Sequence, residues 1–165
     1  MTSPSVVSPK QSGFLSSAYC RFLHFAARLD TPFLLVVRII WGWQFTIDGW
    51  GKLHNLGRVT GFFSTLPLPF PGASAVLVSA MEFVGGLLLI AGLGTRVVGL
   101  LLAANMMMAY FAVSEDRTAF LTIFSNDPST FVKADPFPFL CAAVVALVFG
   151  AGTVSLDYLL AMRRK

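Results

Sequence analysis

The chain has 165 residues, 56% of them hydrophobic and 12% charged, with a mean hydropathy of +0.75. Soluble globular domains hold roughly 45–50% apolar and about 25% charged residues, so this composition excludes an ordinary soluble domain and points to one membrane domain. The net charge of +4 is carried mostly by basic residues at the ends and short connections, a topology signal rather than a nucleic-acid footprint.

Residues 1–13 are polar and rich in Ser and Pro and read as a flexible tail, not a cleavable signal peptide, because the first long apolar run begins only after position 32. Residues 14–30 form an amphipathic helix. Leu15, Ala18, Tyr19, Phe22, Ala26 and Leu29 make one stripe, and Arg21, His24 and Arg28 another. Such a basic helix suits the membrane interface. Asp30-Thr31-Pro32 predicts a break and a fresh helix start.

Four apolar spans follow, about 33–53, 73–93, 97–113 and 136–154, each close to the roughly 20 residues that cross a bilayer. Between the first two, residues 54–72 predict a short helix carrying Val59, Phe62, Phe63 and Leu66 flat on the membrane, and then an irregular stretch at Pro67, Pro69 and Pro71. Residues 114–135 form the longest polar connection, in which 120–124 is apolar enough to dip into the interface. Residues 159–165 are a basic tail. Lys10, Arg21, Arg28, Arg96, Arg163, Arg164 and Lys165 fall on one side of these spans, and Lys52, Arg58, Arg117 and Lys133 on the other. The positive-inside rule then puts both termini in the cytoplasm. The expected architecture is an all-α, antiparallel four-transmembrane-helix bundle over residues 31–158, multi-pass in the cell's inner (plasma) membrane.

Charge inside the first span directs the search for a site. Arg38, Asp48 and Lys52 sit among Leu, Val, Ile, Phe and Trp, and ionisable groups at that depth need partners or a polar interior. At about 1.5 Å per residue, Arg38 lies about 8 Å and Asp48 about 22 Å from the cytoplasmic end, Glu82 about 16 Å and Asn105 about 12 Å. Gln44, Asp48, Glu82 and Asn105 therefore share the middle and outer half, and Lys52 stands at the i,i+4 spacing to pair with Asp48. This cluster predicts a ligand-binding or proton-exchange site opening outward, or a polar tie between helices. Arg38 is expected to serve the cytoplasmic side of the bundle. Cys20 and Cys141, His24 and His54 lack metal-ligand spacing, and Met106–Met108 point three ways around a helix, so no metal site is expected.

Four pieces in order, Arg38…Gly42…Gly49…Lys52-Leu53, Glu82-x-x-Gly85-Gly86-Leu87-x-Leu89, Gly92-Leu93-Gly94-Thr95-Arg96 and Gly150-x-Gly152-x-x-Ser155-Leu156-Asp157, resemble the DoxX family of small four-helix membrane proteins. The resemblance covers about residues 33–158. It implies a membrane subunit tied to oxidoreductase complexes, with a relative in thiosulfate:quinone oxidoreductase. It marks Arg38, Lys52, Glu82 and Arg96 as the positions that matter. Many relatives carry histidine where this chain has Asp48, so a histidine-dependent role does not carry over. The expected function is a subunit of a membrane-associated oxidoreductase or respiratory-type complex with protein partners, without a cofactor of its own, and with a quinone-type head group or a proton path near Glu82, Asp48 and Lys52; the alternative is a structural or anchoring subunit without chemistry of its own.

Overall fold

The computed structural model describes residues 14–121 and 129–163, and their side chains at Tyr19 and from Leu29 onward. All regular elements among them are helical: α1 (Phe14–His54), α2 (Leu56–Phe63), α3 (Pro71–Ala91), α4 (Thr95–Ala112), α5 (Ser114–Leu121), α6 (Ser129–Lys133), α7 (Pro136–Phe149) and α8 (Leu156–Met162). By length and hydropathy, α3 and α4 can each cross a bilayer, and α7 is a shorter apolar helix. Residues 1–13 and 164–165 lie outside the described residues, as does most of the apolar 120–124 stretch; residues 159–162, expected in a basic tail, belong to α8.

The break expected at Asp30-Thr31-Pro32 does not occur. One helix of 41 residues runs through Pro32. Proline removes a single i→i−4 bond, and packing of the turns beyond it holds the helix together. α1 packs chiefly on α3 and α4 on α7, with α3–α4 and α1–α7 completing the ring. Phe45, Leu89, Leu102, Met106, Ala143 and Ala146 fill the centre. Phe139 of α7 meets Phe45 and Trp41 edge-on, at 5.0 and 5.4 Å between ring centroids.

Small residues set the closeness of the α1–α3 pair. A Cβ on Gly49 would land on the backbone of Phe83 and 2.8 Å from the Ser79 carbonyl oxygen. A Cβ on Gly86 would stand 2.5 Å from the Gly42 carbonyl oxygen. Two helices that share an apolar surround gain little from hiding apolar surface against each other, so backbone proximity and dispersion supply the attraction. Gly42 and Gly49, seven residues apart on one face of α1, meet Gly86 and Ser79, seven apart on α3. Thr46 and Ser79 in this seam satisfy their hydroxyls within their own helices, on Gly42 O (2.7 Å) and Ala75 O (2.6 Å).

The two ends of the bundle are closed differently. At the Lys52 end, α2 and the proline-rich stretch lead to Phe70, which holds a left-handed backbone (φ 51°) before Pro71 opens α3. Tyr110 stacks on Phe131 of α6 (5.0 Å) and donates to its carbonyl oxygen (3.0 Å), with Phe120 and Phe137 around them. At the Arg38 end, the fourth apolar run is helical only to Phe149, not to Val154. Gly150 (φ 76°) and Gly152 (φ 72°) turn the backbone out of the helix, and Ser155 then caps α8.

Gly49→Ala is expected to lower stability by about 1–3 kcal/mol through overpacking against Phe83. Gly51→Ala, where a methyl meets nothing within 4 Å, is expected to stay within about 0.5 kcal/mol. Equilibrium unfolding in detergent micelles distinguishes them.

Candidate functional site

The close α1–α3 seam brings the last turns of α1 against the middle of α3. Lys52 Nζ lies 2.5 Å from Glu82 Oε2, an ion pair between the two helices. Asn105 of α4 donates from Nδ2 to the other carboxylate oxygen, Oε1, at 3.1 Å. Glu82 is 2% exposed, Asn105 is buried, and the Lys52 side chain is 37% exposed. A buried carboxylate is thus fully engaged by three helices and reaches solvent or lipid only along the lysine.

This differs in two ways from the spacing argument. The Asp48–Lys52 pair does not form. Lys52 turns toward Glu82, where one buried anion gains more from a cation than the half-buried Asp48 does. Asp48 contributes as a nearby negative charge on the edge of the cluster. Gln44 does not join at all. It lies one turn below Asp48 on an exposed strip of α1, because α1 spends its inner face on Arg38, Phe45, Thr46 and Gly49. The polar face of α1 is therefore a diagonal from exposed Gln44 through Asp48 to Lys52, and only its end enters the bundle.

Arg38 is about 21 Å below Lys52 along α1 and belongs to a separate construction. It is 3% exposed and spends its guanidinium on backbone. Nε donates to Leu89 O (2.9 Å) and Nη2 to Ile90 O (3.1 Å) at the end of α3. Nη1 donates to Ala151 O and to Val154 O (3.0 Å) in the segment after α7. Gly92 (φ 67°) leaves room for this, since a Cβ there would strike the guanidinium and come within 2.7 Å of Ser155 Cβ. Asp157 completes the join. Its amide donates to Gly92 O (2.9 Å), and its carboxylate accepts from the N–H of Gly94 (2.7 Å) and Thr95 (3.0 Å), capping α4. Thr31 and Thr153 share a hydroxyl bond at 3.1 Å beside it.

Asp157 and Ser155 had no role assigned from sequence beyond their place in the last motif. The signal was present: a Ser-x-Asp at a helix start after a Gly-x-Gly is a capping pattern. Arg38's partners left no such signal, because they are carbonyl groups that every residue carries. Arg96, by contrast, is exposed at the start of α4.

The DoxX family model matches residues 33–115, which contain Arg38, Lys52, Glu82, Arg96 and Asn105. The protein named "Putative oxidoreductase CatD" of Bacillus subtilis (strain 168) is 34% identical over 79 residues, covering 48% of this chain and 58% of that protein. The chain therefore spans little more than half the length of this relative. No solved structure matches.

Lys52→Met is expected to strand the Glu82 carboxylate and cost stability at the lower end of the roughly 3–5 kcal/mol seen for broken buried pairs, since Lys52 is partly open. Adding Glu82→Gln is expected to recover most of that loss, which a double-mutant cycle in detergent measures. Arg38→Met removes the donors to four carbonyl groups and is expected to cost at least about 3 kcal/mol, at roughly 1–3 kcal/mol per unsatisfied buried group; Arg38→Lys, with one point donor, is expected to restore only part of it.

Proposed function

The chain belongs to the DoxX family of membrane proteins, and from that footing we propose that it is a four-span subunit of an oxidoreductase complex, with a quinone-facing proton site at Lys52, Glu82 and Asn105. α1, α3 and α4 make three crossings. α7 and the segment to Val154 make the fourth, with both termini in the cytoplasm and the protein in the plasma membrane. The similarity to CatD, a protein named as an oxidoreductase, supports the redox setting. The single observation that carries the site is the buried Glu82 carboxylate, linked to the outside only through a partly exposed lysine.

The donor set fits a quinone head group. A quinone is reduced by electrons and protons together, so its site needs a hydrogen-bond donor for a carbonyl oxygen and a nearby group that exchanges a proton. Lys52 supplies the open donor. Glu82 behind it holds or releases the proton, and Asn105 fixes the carboxylate's orientation. The electrons come from a partner subunit.

A second reading is that the cluster only ties α1, α3 and α4 together, as its three-helix origin would suit. Glu82→Gln separates the two. It keeps the shape and the Asn105 contact but cannot exchange a proton. The expected outcome is a complex that assembles normally while quinone reduction falls by roughly 100-fold or more, the scale of a lost acid–base group. Lost assembly without a specific redox defect would establish the tie instead, and an unchanged complex with unchanged reduction would remove both roles.

A further inference from the structure

Two arginines stand at the same end of the bundle with opposite fates. Arg38 is buried and donates to four carbonyl groups. Arg96 is exposed, and among the described residues its guanidinium meets no hydrogen-bond acceptor and no carboxylate. It lies beside the backbone of Gly150, where a Cβ would come within 3.2 Å of Arg96 Nε. Between the start of α4 and the end of α7 is an open depression of about 410 Å³, bordered by Arg96, Phe149, Gly150, Gly152, Asp157 and Tyr158.

We propose that this depression binds the phosphate group of an anionic phospholipid, with Arg96 as its principal ligand. The proposal rests on the protein's membrane setting and not on the redox reading. Guanidinium is the side-chain group whose donor fork matches phosphate oxygens. Asp157 keeps its negative charge, but its two oxygens accept from the N–H groups of Gly94 and Thr95, and it forms no ion pair with Arg96. At Gly150 the missing side chain leaves room beside the Arg96 guanidinium, which a Cβ would approach to 3.2 Å.

The surroundings favour a lipid over a free anion. Val97 and Phe149 on the rim are 64% and 62% exposed, on the flank that faces acyl chains. Tyr158 stands on the other side of the depression, the kind of amphipathic ring that settles at headgroup level. A free phosphate would have no use for that apolar rim. A phospholipid would place its chains along Val97 and Phe149 and its phosphate under Arg96. The cytoplasmic leaflet, which the topology assigns to this end, is also the anionic one.

Native mass spectrometry of the full chain in detergent, titrated with phosphatidylglycerol or phosphatidylcholine, tests this. The wild type is expected to prefer phosphatidylglycerol, and Arg96→Gln to lose about fivefold of that preference, the effect expected of one basic residue at an anionic surface. Arg163→Gln, at the residue that follows α8 at the same end, is expected to keep it. Circular dichroism melts of both variants should match the wild type. Equal binding of phosphatidylglycerol by Arg96→Gln overturns the proposal. So does an equal loss in Arg163→Gln, which would mean diffuse surface charge. Displacement of the lipid by inorganic phosphate in an Arg96-dependent manner would also overturn it, by making the ligand a free anion.

Discussion

The arrangement depends on how the backbone is satisfied where two helices stop. α3 ends at Ala91 and α7 at Phe149, and each leaves carbonyl groups without intrahelical donors. Unpaired carbonyl groups in an apolar surround cost several kcal/mol each, so an irregular segment there persists only where protein supplies donors. Arg38 supplies them to the end of α3, at Leu89 and Ile90, and to the segment that follows α7, at Ala151 and Val154. One guanidinium, whose planar fork can reach in several directions, joins α1 to the end of α3 and to the 150–154 segment. Asp157 makes the reciprocal contribution at the start of α4, accepting from amide groups where Arg38 donates to carbonyl groups. The two side chains together explain why a charged residue is kept deep within the first apolar stretch.

That join fixes the bottom of α1, and the glycine seam fixes its distance from α3. The position of Lys52 follows from both. With Gly49 against the Phe83 backbone, the next turn of α1 is held near Glu82, and the lysine's reach closes the ion pair. A wider seam would leave Glu82 buried without a cation, and the carboxylate would then be more costly than any role it serves. The proton site proposed for Glu82 is therefore inseparable from the packing of residues that carry no functional groups.

The bundle has two polar centres about 21 Å apart along α1, and they differ in kind. Around Arg38, four of the five N–H donors are met by backbone carbonyl groups, and the side chain is buried. Around Glu82, a carboxylate is met by two side chains, one of which remains partly open. Saturated polar groups rigidify a fold, whereas a partly open one can take part in chemistry. The proposed assignment of structure to one and function to the other follows that distinction, and the unsaturated Arg96 fits it at the membrane boundary.

Hydropathy and residue type by themselves determined the all-α membrane class, the extent of α3 and α4 and the short helix α2. Period and polarity are local properties, and these elements obey them. The same reasoning placed Glu82, Asn105, Asp48 and Gln44 at neighbouring depths, with Lys52 one turn above Asp48, because axial rise per residue is fixed. It could not fix rotation about the helix axes. Gln44 shares that depth but faces outward, and Lys52 bypasses its i,i+4 neighbour Asp48 for a residue on another helix. It also misjudged Pro32, through which the helix runs on despite the lost bond, and Val154, where glycines in a left-handed backbone end the helix early. The partners of Arg38 were beyond its reach for a simpler reason: carbonyl groups look alike in every residue, and only the tertiary structure decides which of them are left without a donor.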